Sequence, residues 1–283
     1  MKQAKITGII PFSYIVKKRS GSSILRAEVL AQCSDDFKIW QHGPQYDALI
    51  FQKVYWLEMM QNFKGPKILD LCDPDWVKGD VDIIETGNLV DAITCSSPAL
   101  TKLLRSYLPE KIIEYVPDRF NFNLFPPPRK HTRNASKVIW FGFVHNAHET
   151  LPTFADALRK HNLELTIISD LPYSQKDSIS DLHPRHITYE EYSAYDFIQQ
   201  GDIVLNPKST KAFFKYKSNN KDVIAWRLGM PVAQTPADLE RLLTPDNRNN
   251  EINEKIPLVE NEYNITRSAN QYREIINQII RTT

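Results

Sequence analysis

Short β-rich apolar runs alternate with helix-patterned segments along the whole chain, and that alternation leaves few folds open. Residues 5–11, 37–40, 48–51, 67–71, 91–96 and 112–116 read as strands, and residues 24–33, 55–62 and 98–107 as helices between them. Strands separated by helical crossovers argue for parallel βαβ units and an α/β class. The rhythm stops at Pro126, Pro127 and Pro128, a stiff stretch suited to a domain boundary. It then restarts, with strands at 137–141, 163–169 and 202–205 and helices at 151–160, 192–200, 222–228 and 237–243. Residues 143–149 read as a polar loop and residues 247–255 as loose chain. Residues 266–281 form a last amphipathic helix, with Ala269, Tyr272, Ile275, Ile276, Ile279 and Ile280 near one face. A length of 283 residues fits two domains. The predicted division is 1–125, 126–265 and a terminal helix, 266–283, that packs back on the first domain.

Composition excludes several classes. The formal net charge is +1, so the chain as a whole makes no electrostatic case for nucleic acid or an anionic membrane. Cys33, Cys72 and Cys95 have no metal-like spacing, and an odd, sparse set predicts a reducing, cytoplasmic setting. No apolar run reaches the length of about 18 residues that a membrane-spanning helix needs.

Residues 202–232 carry the strongest local signal. A short apolar strand ends at Asn206-Pro207, and a basic run, Lys215-Tyr216-Lys217-Ser218-Asn219-Asn220-Lys221, leads into a helix that stops at Gly229 with Pro231 beyond. Asn219 or Asn220 is a good N-cap. Lysines at a helix N-terminus oppose the macrodipole, which makes physical sense where a phosphate binds. The alternative is a solvated turn whose lysines point away. Gly142 ends a strand and is followed by His145, Asn146 and His148; that arrangement suits a phosphate cradle, and no third ligand for zinc is evident. Asp73 and Asp75 follow the strand at 67–71, where ligands sit in open α/β sheets. They serve either as turn residues bonding nearby amides or as groups that bind or deprotonate a hydroxyl. No dinucleotide fingerprint, P-loop or nucleophile elbow is present.

Taken together these segments resemble the GT-B glycosyltransferases, family-four-like members in particular, over nearly the whole chain. Asp91-Ala92-Ile93-Thr94-Cys95-Ser96-Ser97 is similar to that family's "aD.vi.vS..l" strand and cap, and residues 117–125 to its "PNGvD...F" crossover. Val138 to Gly142 resembles the strand that opens the second domain. Residues 201–207 are similar to "aDv.v.PS", and Ala225-Trp226-Arg227-Leu228-Gly229-Met230-Pro231-Val232 to "EAmA.G.PVv". The departures are specific. Tyr216 and Ile224 stand where many members carry glutamates, and Cys72 stands where some carry histidine before the aspartate kept here as Asp73. The run from Lys217 to Lys221 is similar to a "K-S-x-N-[KR]" variant in small members. At 283 residues the chain is short for this fold.

The resemblance implies two Rossmann-like domains facing a cleft and a cytoplasmic, metal-independent, hexosyltransferase-like enzyme without a cofactor. The donor is a UDP- or GDP-linked sugar, with its diphosphate on Lys217, Ser218, Asn219, Asn220 and Lys221. Gly142 allows close approach, Asn146 donates a hydrogen bond, and Arg119 adds charge from the crossover. Asp73 and Asp75 are the catalytic candidates, and Gly21, Ser22 and Ser23 line the side of a hydroxyl-bearing acceptor, whether glycan, lipid-linked or small molecule. Two other readings stand beside it. One is a non-catalytic nucleotide-sugar-binding or assembly protein, which the missing glutamates favour. The other is a transferase acting on modified nucleic acid, drawing on the basic stripe Lys17, Lys18 and Arg19.

Overall fold

The computed structural model describes residues 5–17, 20–79, 81–174, 176–190, 193–209 and 211–282. The chain divides into two compact units, one of residues 1–121, 211–219 and 263–283, the other of 122–210 and 220–262. Each holds one parallel sheet of mixed α/β, Rossmann-like type.

The first unit's sheet contains β1 (Thr7–Pro11), β2 (Phe37–Ile39), β3 (Ala48–Gln52), β4 (Lys67–Leu71), β5 (Ala92–Cys95) and β6 (Ile112–Tyr115) in the order β2-β1-β3-β4-β5-β6. The order reverses between β1 and β3, and ligands bind beyond the carboxyl ends of strands at such a switch point. Side chains alternate across the pleat. Ile10, Leu49, Phe51, Leu69, Leu71 and Ile93 fill one face. Ile9, Ala48, Ile50, Ile68 and Ala92 fill the other, under Ile265, Ala269, Tyr272, Ile275, Ile276 and Ile279 of the helix Ile265–Thr282.

A buried polar network locks this unit. Arg26 donates through Nε and Nη2 to Asp70 at 2.7 and 2.5 Å, and through Nη1 to Asp118 at 2.8 Å and the Val116 carbonyl at 2.9 Å. Tyr272 and Thr94 donate to the same Asp70 at 2.8 and 2.6 Å. Ser218 donates to Asp118 at 2.5 Å, fastening residues 211–219 to this unit. Arg26 lies in a π-helical stretch, Ile24–Glu28, that runs into the α-helix Val29–Cys33 where the sequence predicts one continuous helix. Such bulges are frequent at functional sites, and here the wider turn carries the guanidinium.

The second unit's sheet contains β7 (Lys137–Gly142), β8 (Glu164–Ser169), β9 (Arg185–Thr188), β10 (Ile203–Leu205) and β11 (Val232–Ala233) in the order β11-β10-β7-β8-β9. Its switch point lies between β7 and β10. Trp140, Leu165, Ile167, Ile203, Leu205 and Phe154 are among the buried residues of its core. β9 was not expected from the polar chain before it. The helix Ser193–Ile198 lies within the helix predicted over 192–200, whose first residue, Tyr192, lies outside the described residues.

Two further expectations are corrected. The predicted loop after Gly142 is the helix Val144–Thr150, whose first amide donates to Asp170 at 2.9 Å. That cap comes from the end of β8, so no local pattern announces it. The predicted loose chain at 247–255 is part of the helix Pro245–Glu262. Its anchor is Arg248, fully buried, which donates to the carbonyls of Leu242 and Leu243 at 2.8 Å each and to that of Arg133. A buried arginine reads as polar surface in a hydropathy pattern, which hid the helix. Among the described residues no helix is long and apolar enough to cross a membrane.

Candidate functional site

In the first unit, β3 ends in Gln52 and passes into Lys53, whose backbone is left-handed at φ +52°. A long side chain in that region is rare and worth attention. Lys53 Nζ lies 2.8 Å from Asp73 and 3.3 Å from Asp75, which sit beyond β4. Tyr55 Oη donates to Asp75 at 3.1 Å. Burial works to raise the Asp73 pKa, but the charge and hydrogen bond of Lys53 outweigh it and hold the carboxyl below its ordinary value. Burial opposes the Lys53 charge in turn, and the facing acids outweigh it and raise its pKa. A carboxylate held this way is a poor proton acceptor and a good hydrogen-bond acceptor, so it suits orienting a hydroxyl more than deprotonating it.

Gln52, fully buried, connects this group to the loop after β1. Its Oε1 accepts from the Phe12 amide at 3.1 Å and from Ser23 Oγ at 3.0 Å. Ser23 is buried and takes Ser20 Oγ as a donor at 2.9 Å, while Ser22 Oγ lies 3.3 Å from Ser20 Oγ. Gly21 opens the single turn that carries them. Ser23 and Asp73 are thus joined through Gln52 and Lys53, which the sequence reading did not single out. The same rule that drew attention to Asp73, position beyond a strand's carboxyl end, applies to both. Of the basic stripe, Lys18 and Arg19 lie outside the described residues.

In the second unit the switch point is built from four segments. Gly142 ends β7 at φ +140°, a conformation that favours glycine, and a Cβ there would collide with the ammonium of Lys221. That ammonium stands 4.4 Å above the Trp140 ring and 5.8 Å from that of Phe141. Lys221 belongs to the helix Asn220–Arg227, which ends at Gly229 with φ +77°. Its neighbour Asp222 is buried and accepts from Asn206 Nδ2, just past β10, at 2.5 Å. Asp222 also accepts from Lys208 Nζ at 2.8 Å and from Gln234 Nε2, just past β11, at 3.1 Å. Lys208 and Asp222 lie outside the family-like segments, and nothing in the segment 201–207 marks Asn206 as a partner of Asp222.

The run from Lys217 to Lys221 is divided between the units after Asn219. Lys217 sits over the rings of Phe214 and Phe213 at 4.7 and 5.6 Å, and its charge is among those lowering the Asp73 pKa. Ser218 is bonded to Asp118, and Asn219 Nδ2 donates to Tyr263 Oη at 2.9 Å. Asn220 opens the helix that carries Lys221. Arg119 is buried in the first unit and donates to Ser268 Oγ at 3.2 Å and Gln271 Oε1 at 2.9 Å, both on the helix Ile265–Thr282. Asn146 lies in the helix Val144–Thr150 with its Oδ1 buried and unpartnered among the described residues. Tyr216 packs on the first unit's core and its carbonyl accepts from Ser97 Oγ at 2.6 Å, while Ile224 is buried in the second unit. Among the described residues no three His, Cys, Asp or Glu side chains gather as a metal-ligand set.

No protein-family model matches the chain, and no curated protein matches it by sequence. Solved structures do. A glycosyltransferase from Rickettsia africae ESF-5 superimposes with a TM-score of 0.66 at 8% identity, over 100% of both chains. The fold is shared with a glycosyltransferase. Anabaena HepE, in complex with UDP-glucose, is similar with a TM-score of 0.68 at 12% identity, over 98% of this chain and 100% of that one. TarM is similar with a TM-score of 0.59 at 13% identity, over 81% of this chain and 54% of that one. At these identities the likeness is one of fold, and it extends across both units.

Proposed function

We propose that the protein is a glycosyltransferase of GT-B type, family-four-like, that moves a sugar from a nucleotide donor held by the second unit to a hydroxyl held by the first. The observation that carries the reading is the β7/β10 switch point, where Lys221 rests on Gly142 and Asp222 fixes Asn206 and Lys208. A cation packed against a strand-ending glycine suits a diphosphate that must approach backbone closely. Lys221 and Lys208, rather than a metal ion, stabilise the negative charge that grows on the departing nucleoside diphosphate. Asn220 and Asn146 supply hydrogen bonds nearby. HepE's UDP-glucose makes a UDP-linked hexose the first donor to try. In the first unit Asp73, held ionised by Lys53, orients the acceptor hydroxyl, with Asp75 and Ser23 beside it. Lys217 sets the charge near Asp73. The work would take place in the cytoplasm, where nucleotide sugars are met in reduced surroundings.

A non-catalytic reading has one observation in its favour: Tyr216 and Ile224 replace the family's paired glutamates, and both side chains are committed to packing. A screen of thermal stability against UDP, GDP and their sugars tests binding, since a ligand of the native state raises stability by mass action. Release of free sugar or its transfer to added glycosides separates enzyme from sensor. No shift with any of these nucleotides removes the proposal; a shift without turnover leaves the sensor.

A further inference from the structure

Beyond the carboxyl ends of β1, β2 and β3, Trp40 stands at the centre of a herringbone of rings. Tyr14 meets it at 5.4 Å and 88°, Trp56 at 5.8 Å and 83°, and His42 at 4.5 Å and 66°. Trp40 is buried, Trp56 half-buried, and Tyr14 and His42 exposed. Tyr14 Oη lies 3.4 Å from His42 Nε2. Trp40 belongs to the first unit's core and Trp56 packs against it, but the helix that carries Tyr14, Phe12–Val16, buries none of its residues, so Tyr14 and His42 lie outside that core. The cluster adjoins the carboxylates: Lys53 Nζ stands 5.2 Å above the ring of Phe12, and Tyr55, bonded to Asp75, precedes Trp56.

Between them lies Gln52. Its Oε1 is taken by two donors, which fixes the amide's orientation, and its Nε2 is buried with no acceptor among the described residues. A buried N–H donor without a partner is costly unless something supplies an oxygen. Aromatic faces, two carboxylate acceptors and an unmet amide donor complement one kind of molecule, a pyranose, with hydroxyls on its rim and an apolar C–H face. Phosphate-bearing partners fit less well, because two carboxylates face one lysine here.

We propose that Tyr14, His42 and Trp56, backed by the buried Trp40, form a sugar-ring subsite, and that the acceptor is therefore a carbohydrate. Only the word acceptor rests on the transferase reading; the glycan site stands on the first unit alone. The ring stacks on the aromatic wall while its hydroxyls bond Asp73, Asp75 and Gln52 Nε2.

Saturation-transfer NMR of the full chain with methyl glycosides of glucose, galactose, mannose and N-acetylglucosamine tests this. At least one should receive saturation, concentrated on the C–H protons of one face. Trp56→Ala and Tyr14→Ala should each weaken it by about tenfold or more, and Trp56→Phe should retain it. Unchanged circular dichroism in the variants shows that they fold. Silence from every glycoside, or saturation untouched by both alanine variants, overturns the subsite. Co-sedimentation with phosphatidylglycerol vesicles, lost in Ile15→Ser and unaccompanied by any glycoside signal, also overturns it and assigns the face to lipid. UDP-glucose stabilisation, measured alongside, reports on the second unit separately, so failure of the donor reading and failure of the subsite are distinguishable.

Discussion

Lys53 Nζ and Asp73 Oδ2 stand 2.8 Å apart across the carboxyl ends of β3 and β4, with the lysine backbone turned into the left-handed region to make the contact. The pair determines what the first unit can do to a hydroxyl. Asp73 is kept ionised and kept in place, and neither property makes it a strong base.

Asp73→Asn is therefore expected to abolish transfer while leaving the UDP-glucose affinity unchanged. Lys53→Met should do the same and also destabilise the fold by about 1–3 kcal/mol, because two carboxylates then face each other. The depressed Asp73 pKa gives the sign of the acid limb. The carboxylate stays charged at neutral pH and protonates only below its ordinary value of about 4, so activity should hold through mildly acid pH. A limb centred near neutrality in the unaltered protein would contradict the orienting role given to Asp73.

Gly142→Ala probes the second unit's switch point. The added methyl meets the Lys221 ammonium on a backbone already at φ +140°. Stability should fall by about 1–2 kcal/mol and UDP-glucose affinity by about tenfold or more. Wild-type affinity in calorimetry would mean that the Gly142–Lys221 contact does not shape the donor site.

His131 predicts how stability depends on pH. Its Nε2 lies 2.9 Å from the Gly229 carbonyl and so carries the proton, while Nδ1 is buried without a partner among the described residues. Burial, and the charges of Arg248 and Arg129, push its pKa below the ordinary 6.5. The neutral form is the one the fold accepts, so its contribution is complete above about pH 6.5 and is lost as the pH falls toward the folded value. The melting temperature should drop on acidification through that range, and His131→Gln, which keeps a donor toward Gly229, should flatten the drop. An equally steep drop in the variant would place the acid sensitivity elsewhere.

The Arg26 network predicts a large structural penalty. Arg26→Met leaves Asp70 and Asp118 buried without their cation, at a cost of about 3–5 kcal/mol, whereas Tyr272→Phe removes the hydrogen bond to Asp70 with two longer contacts, to Arg26 and Thr94, and costs about 1–2 kcal/mol. Urea titration compares them. Equal, small effects would show that the network adds nothing beyond packing.

Much of this was readable in the residues. The strands from β1 to β8 lie where apolar, β-branched runs end in turn residues. Ser97 caps the helix Pro98–Tyr107 with Pro98 inside it, and Gly229 stops the helix Asn220–Arg227, because these signals are local. What escaped depends on partners distant in sequence. Asp170 caps the helix Val144–Thr150 from 26 residues away, Arg26 meets Asp70 across 44, and Arg248 anchors its helix on the carbonyl of Arg133. Nothing local marks residues 211–219 as part of the first unit; Ser218 on Asp118 and Tyr216 on Ser97 do so only in three dimensions. The place of Asp73 beyond a strand was legible, and its charge state was not, since Lys53 sets it.

Calorimetric titration of the protein and of Lys221→Ala with UDP-glucose and GDP-mannose tests the nucleotide-sugar site proposed at the β7/β10 switch point. One of them should bind saturably to the unaltered protein, with affinity weakened by about tenfold or more in the variant. Absence of binding, or equal affinity in both proteins, would contradict it.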